Sequence, residues 1–189
     1  MKQFTVIATL SLFMAACGGS SNVNETSTAG NETATPNESN VTVSVLIIQT
    51  EIPYAKDNDI AQNIKDECQL PSKLSKFIKI YAEKKDINVN DKPSISKDDP
   101  GSVLIVENAD AVSAGNAFIG HKKFAKVNGE LYKDGQLVGS FVGKRSSGGG
   151  YGGGWKGSCG VLGRTVKALG KDISKFLVKP KMDAKIGER

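Results

Sequence analysis

The first seventeen residues constrain this chain more than any other segment. Lys2 precedes an apolar run over residues 6–14, and two small residues, Ala15 and Ala16, lead to Cys17. A helix of that length is too short to cross the ~30 Å hydrocarbon core of a bilayer. A charged start, a short apolar centre and small residues before a cleavage point are typical of an export signal, which is removed from the mature protein. The fold must therefore be built from the residues that follow, and we expect an oxidising compartment.

The segment Met14-Ala15-Ala16-Cys17 resembles the lipobox of bacterial lipoproteins, which usually reads Leu-Ala-Gly-Cys. The resemblance implies a diacylglycerol thioether on Cys17, removal of residues 1–16 and usually a third acyl chain on the new amino terminus. Two or more acyl chains anchor a protein stably, whereas one does so only marginally. The alternative is a secretory signal whose cleavage site happens to include Cys17. Gly18 is not the aspartate that retains enterobacterial lipoproteins at the inner membrane, so the resemblance implies an outer-membrane protein facing the periplasm.

Residues 17–40 are interpreted as the lipidated cysteine and a flexible polar tether. The tether is built from Gly, Ser, Thr, Asn and Glu, and it cannot bury enough apolar surface to fold alone. Residues 41–189 then form one domain with 24 Lys and Arg against 17 Asp and Glu, a net charge of +7. Spread lysines indicate a solvated polar face, and the alternative is attraction to anionic headgroups or glycan. An exported protein is not expected to meet nucleic acid.

The first half of the domain is expected to alternate strands and helices. Val41–Ile52 is a nearly continuous aliphatic strand, and the cluster Asp57-Asn58-Asp59 is a helix N-cap signal. Pro71 either kinks the helix that follows or opens a second one. Ile87 and Val89 indicate a short strand, and a further aliphatic strand covers residues 102–107.

Two extended runs joined by Asp134-Gly135 predict a hairpin with a type I′ turn. With those residues as the turn, Leu131 pairs with Val138 and Val127 with Val142 on the core face. The other face then carries an apolar trio, Tyr132, Leu137 and Phe141. The trio is either covered by another element or exposed for a partner, which makes Tyr132 and Phe141 candidate contact residues.

A final helix is predicted from about Ser158 to Val178, with one apolar stripe at steps of three and four residues. Gly160, Gly163 and Gly170 weaken its propensity, so it needs tertiary packing or close backbone contact. The expected fold class is α+β, a mostly antiparallel sheet with two principal helices packed on one face.

Lipidation of Cys17 leaves Cys68 and Cys159 as an even pair, each on the apolar stripe of its own helix. If both helices cover the same face, a disulfide between them is geometrically natural. The alternative is that Cys159 is the nucleophile of a cell-wall hydrolase at a helix amino terminus. The only histidine, His121, precedes Cys159, whereas such hydrolases place the histidine after the cysteine. A single histidine without a cysteine or acidic cluster also predicts no metal site.

The glycine-rich segment of residues 146–157 contains Tyr151, Trp155 and Lys156. It does not match a phosphate-binding P-loop, because Trp155 precedes Lys156 where that loop has glycine. It is either a flexible loop or an aromatic contact surface for a partner.

The order of strands and helices in a tethered domain resembles the small α/β domains of envelope-assembly lipoproteins. Examples are the curli-secretion lipoprotein, penicillin-binding-protein activators and the amino-terminal domain of TolB. The resemblance implies a non-enzymatic interaction role with an envelope protein or peptidoglycan, without a cofactor, and it transfers no functional residues. The alternatives are the cysteine hydrolase and a structural protein that self-associates through the hairpin edge or the glycine loop.

Overall fold

A computed structural model describes residues 42–114, 122–147 and 157–187, all within one compact unit of residues 37–189. The predicted α+β class is confirmed, with three helices and one six-stranded sheet over the described residues. The elements are β1 (Val45–Gln49), α1 (Gln62–Cys68), α2 (Leu70–Glu83), β2 (Asn88–Lys92), β3 (Ser102–Ala114), β4 (Lys122–Lys133), β5 (Gln136–Ser147), α3 (Ser158–Val178) and β6 (Ala184–Gly187).

The sheet has the strand order β2-β1-β3-β4-β5-β6 and is mixed, not mostly antiparallel as predicted. Only the β3–β4 and β4–β5 pairs are antiparallel, while β1–β2, β1–β3 and β5–β6 are parallel. Each parallel pair is joined by a connection that contains at least one helix and brings the chain back to the end at which the first strand began. The sequence pattern indicates where a strand lies but not the direction in which it pairs.

Helices α1 and α2 supply the connection between β1 and β2. Pro71 opens a second helix, because Gln69 adopts a left-handed conformation (φ 50°) between Cys68 and Leu70. The predicted N-cap at residues 57–59 is wrong. Asn58 instead forms a local turn, in which its side-chain oxygen accepts a hydrogen bond from the Ile60 N–H at 3.2 Å, and helix α1 begins only at Gln62.

The core lies between the helix layer and one face of the sheet. It combines the apolar stripes of α2 and α3 with alternate strand residues, including Leu46, Ile48, Leu104, Val127 and Leu131, each no more than 1% exposed. Two principal helices on one face of the sheet are therefore confirmed. We call the opposite face of the sheet the open face.

The hairpin turn is confirmed, but its register differs from the prediction. Asp134 and Gly135 both have positive φ values, of 50° and 78°, as a type I′ turn requires. A β-bulge then shifts the register at Val138, so that Leu131 pairs with Gly139 and not with Val138. Every later residue of β5 changes face as a result.

The bulge moves Phe141 from the predicted outer face into the core. Phe141 is only 2% exposed, with its ring over Gly129 and 4.8 Å from the ring of Phe176. Val142, which the predicted register placed in the core, is 45% exposed on the open face. Of the predicted apolar trio, Phe141 is thus covered by the core and is not available as a partner contact.

Asn108 connects β3 with the chain that follows β1. Its buried side-chain amide donates hydrogen bonds to the carbonyl oxygens of Ile52 at 2.9 Å and Pro53 at 3.4 Å. Its main-chain N–H also donates to Pro53 at 2.8 Å, and its carbonyl accepts from Ala55 at 3.0 Å. These hydrogen bonds extend the contact between β3 and the preceding chain beyond the end of β1. Strand β3 itself runs to Ala114, further than the predicted end at residue 107.

Candidate functional site

The structure contains the predicted disulfide between Cys68 and Cys159. It joins the last residue of α1 to the first turn of α3, with the two Cα atoms 4.7 Å apart. Cys68 is 1% exposed and Cys159 packs against the core. With its sulfur bonded to Cys68, Cys159 has no thiolate to offer as a nucleophile.

A small polar cluster fixes the start of α3 beside this disulfide. The Ser158 Oγ accepts hydrogen bonds from Ser113 Oγ at 2.8 Å and from Lys123 Nζ at 3.4 Å, and Lys123 is only 5% exposed. A serine next to a lysine amine is also the catalytic pair of Ser–Lys hydrolases. The Lys123–Ser158 distance of 3.4 Å lies just beyond the 2.6–3.2 Å expected between a nucleophile and its base, a distance that is often longer without substrate. These hydrogen bonds also join the paired strands β3 and β4 to the first residue of α3.

Several predicted site residues lie outside the described residues. These are Cys17, with the predicted lipid anchor, and the glycine-loop residues Tyr151, Trp155 and Lys156. The predictions made for them stay predictions. Of the hairpin residues, Tyr132 is half-buried on the open face and Phe141 is in the core.

A groove crosses strands β3–β6 on the open face, and we call it the open-face groove. Its volume is about 610 Å³, and its apolar lining residues include Ile105, Leu137, Val142 and Met182, together with the buried Phe141 and Ala184. Leu137 is 41% exposed and Met182 is 48% exposed, so their apolar surface is available to a partner. Leu137 is predicted as an outward apolar residue from the sequence, but the groove is not, because the predicted register places Val142 in the core.

Carboxylates dominate the charge of the open-face groove. Glu107, Glu130 and Asp183 line it, against Lys185 as the single cation among its lining residues. Glu107 and Glu130 lie on neighbouring strands and Asp183 precedes β6, so the three carboxylates come from separate parts of the chain. The groove therefore carries a formal charge of −2 on a domain of +7.

Tyr132 extends the polar side of the groove at the hairpin end. Its hydroxyl donates a hydrogen bond to Glu130 Oε2 at 2.7 Å. This hydrogen bond raises the pKa of Tyr132, because it favours the protonated phenol, and partial burial and the nearby carboxylates of Glu130 and Asp98 act in the same direction. Tyr132 thus stays neutral and holds the Glu130 side chain on the open face.

Hydrogen bonds hold the β6 side of the groove in place. The Ser140 N–H donates to the Lys181 carbonyl at 3.1 Å, and the Asp183 N–H donates to Ser140 Oγ at 2.8 Å. Asp183 has a left-handed φ of 52°, which turns the chain into β6. Met182 and Asp183 are therefore positioned next to β5 by hydrogen bonds to the main chain and side chain of Ser140, and no sequence motif predicts these contacts.

Two further classes of site, a metal centre and a membrane-spanning helix, are absent from the described ranges 42–114, 122–147 and 157–187. No group of three or more His, Cys, Asp or Glu side chains is arranged there to hold a metal ion. In the same part of the chain, no helix combines the length and apolar character needed to span a membrane.

Comparison with known proteins gives few matches. No protein-family model matches this sequence, and no curated protein matches it. Among solved structures, the chain is similar to a minor lipoprotein from Acinetobacter baumannii, with 10% sequence identity and a TM-score of 0.38 over 71% of this chain and 92% of that chain. A likeness at this level carries no argument about function.

Proposed function

We propose that this protein is a lipid-anchored bacterial envelope lipoprotein that acts by binding a partner and not by catalysis. The observation that carries the proposal is Cys17, placed directly after a short apolar segment and two small residues. Acyl chains on that sulfur would hold the folded domain at a membrane, separated from it by the polar residues 18–40. The Gly18 position favours the outer membrane, with the domain in the periplasm.

The Cys68–Cys159 disulfide supports both parts of the proposal. Disulfides persist in oxidising compartments, which is consistent with export. The bond also occupies Cys159, the residue that a cysteine hydrolase would need as its nucleophile. A partner-binding role is supported by the exposed apolar residues of the open-face groove.

Replacement of Cys17 tests the anchor directly. The full chain with Cys17→Ser should lose palmitate labelling and move from the membrane fraction to the soluble fraction. The Cys68→Ala/Cys159→Ala variant is the matched control, because it removes two other cysteines and should stay in the membrane fraction. Palmitate labelling that survives in Cys17→Ser would contradict the proposal.

The choice between the outer and the inner membrane is tested separately. Density-gradient separation of the two membranes should place the wild-type protein in the outer membrane, and Gly18→Asp should shift it to the inner membrane. A wild-type protein recovered with the inner membrane would refute the outer-membrane assignment while leaving the anchor itself intact.

Thiol titration tests the non-enzymatic role. The unreduced, lipidated chain should contain no thiol that reacts with a thiol reagent after unfolding in denaturant. Two reactive thiols would show that Cys68 and Cys159 are free, and the cysteine hydrolase would again be the better hypothesis.

The glycine-loop residues Tyr151, Trp155 and Lys156 remain a second predicted contact surface. Partners recovered by crosslinking in intact cells should be lost from the Tyr151→Ala/Trp155→Ala variant if that surface is used. Unchanged partners would exclude it.

A further inference from the structure

Exposed apolar side chains of the described residues are concentrated at one place. Five large hydrophobic residues are exposed over the described ranges, and three of them, Leu137, Val142 and Met182, line the open-face groove. The other two, Val45 and Val178, do not line it. A convergence of exposed apolar residues within a polar rim is typical of a protein-binding surface.

The charge of the groove defines what it can bind. The groove lining has three carboxylates and one lysine, and the side chain of Glu107 has no ion pair or hydrogen bond to any described residue. An anionic membrane surface would be repelled by the groove, whereas a cationic side chain would be attracted.

The helix layer on the other face has the opposite character. Lys167, Lys171 and Lys175 are exposed at four-residue steps on α3, and the one carboxylate of that helix, Asp172, is 6% exposed and bonded to Arg145. The negative groove is thus a local feature against a positive background.

We propose that the open-face groove binds a segment of a partner protein that carries lysine or arginine next to apolar residues. The apolar residues of the segment would cover Leu137, Val142 and Met182, and its cations would pair with Glu107, Glu130 and Asp183. This inference rests on the proposed partner-binding function and names the chemistry of the partner. A second copy of the chain fits less well, because the exposed surface of α3 supplies lysines without apolar residues beside them, apart from Val178 at its end.

Site-specific photocrosslinking in intact cells tests the proposal with the full chain. A photoreactive amino acid is placed at Val142 or Met182 in the groove, and at Val178 as the matched exposed apolar control. Adducts are expected from the two groove positions and not from Val178. Mass spectrometry of the adduct should find the crosslink in a peptide with lysine or arginine next to apolar residues.

Charge reversal tests the electrostatic part. Glu107→Lys and the double variant Glu107→Lys/Glu130→Lys should each reduce the adduct yield, the double variant by about tenfold, because like charges then face each other. Glu67→Lys/Glu83→Lys is the matched control, since both glutamates are exposed on helices, and its yield should not change. The single variant separates lost binding from misfolding, because the Glu107 side chain forms no hydrogen bond or ion pair with a described residue that the substitution would break.

Several results would overturn the proposal. These are an adduct with a second copy of the chain, an adduct with lipid, equal yields at Val142 and Val178, an acidic partner peptide, or no adduct from either groove position. Membrane fractionation of the same cells keeps the two proposals apart. Loss of the anchor with adducts intact would contradict the lipoprotein function alone, whereas an intact anchor without groove adducts would contradict this inference alone.

Discussion

Replacing Gly170 by alanine should destabilise the protein, whereas the same replacement at Gly163 in the same helix should stabilise it. Both residues lie inside α3, so both substitutions gain the same helix propensity, about 1 kcal/mol. They differ in what the new methyl group meets. At Gly163 there is no heavy atom within 4 Å of the position that a Cβ would take.

At Gly170 the added Cβ would lie 2.7 Å from Phe77 Cβ, 2.9 Å from the Phe77 carbonyl carbon and 3.1 Å from the Ile78 nitrogen. These atoms belong to the main chain of α2 or adjoin it, so no side-chain rotation can remove the clash. Helix α2 would have to move, and we set the cost of overpacking at about 3 kcal/mol, the upper end of the usual range. The net result is a loss of about 2 kcal/mol for Gly170→Ala and a gain of about 1 kcal/mol for Gly163→Ala.

Urea unfolding of the full chain, followed by far-ultraviolet circular dichroism, measures both free energies of unfolding. Because the propensity gain cancels between the two variants, their difference of about 3 kcal/mol isolates the overpacking cost. The Tm should fall by about 4–8 °C for Gly170→Ala and rise by about 2–4 °C for Gly163→Ala. If both variants are stabilised equally, α2 and α3 do not approach as closely as described, and the reasoning is refuted.

Three other predictions concern the disulfide, the hairpin register and the buried hydroxyl of a half-buried tyrosine. The Cys68→Ala/Cys159→Ala variant should lose about 4–5 kcal/mol of unfolding free energy in urea, because the disulfide closes a loop with a sequence separation of 91 residues; a loss below about 1 kcal/mol would contradict this. Phe141→Ala should lower the free energy of unfolding by about 3–5 kcal/mol and Val142→Ala by no more than about 0.5 kcal/mol. A larger loss for Val142→Ala than for Phe141→Ala would show that the strands pair in the predicted register, without the bulge. Tyr54→Phe should be neutral or stabilising at pH 7, because the Tyr54 hydroxyl is buried without a hydrogen-bond partner in the described part of the chain. Burial, with the Asp66 carboxylate, raises the pKa of Tyr54 above 10.0, so the protonated phenol is favoured by the folded state. The free energy of unfolding is therefore unaffected by this group below pH 10 and decreases as pH rises through the folded-state pKa. Above pH 10 the free energy of unfolding should fall less steeply in Tyr54→Phe than in the wild type, and parallel pH curves would contradict the raised pKa.

Features set by local chemistry were predictable from the sequence. The final helix was expected from Ser158 to Val178 and has those bounds, because its apolar period and flanking residues act within a few turns. The Asp134-Gly135 turn is equally local, since both residues tolerate positive φ. The disulfide followed from two cysteines on apolar stripes that cover one face.

Features set by the register between paired strands were not predictable. Gly139, next to Val138, is a residue that often marks a bulge, but the sequence does not fix where the register shifts, and that shift exchanges Phe141 and Val142 between core and surface. The role of Gly129 becomes clear only once β4 and β5 are paired: the Phe141 ring occupies the space above it, where a side chain would clash. The groove depends on this shift and on β6, whose four residues carry too short a pattern to be recognised as a strand.

Strand β1 receives the chain from the amino-terminal segment, between β2 and β3 in the interior of the sheet, while the groove lies on β3–β6. If the proposed anchor and the proposed partner are both present, tension between them would pass from β1 to β3. Three registered pairs carry it, from Leu46–Ser102 to Ile48–Leu104, together with the hydrogen bonds of Asn108 to the chain beyond β1. When two parallel strands are pulled along their axes in opposite directions, the hydrogen bonds between them bear the force together and not one at a time. The β1–β3 junction is thus the element that would set the mechanical strength of the protein under load.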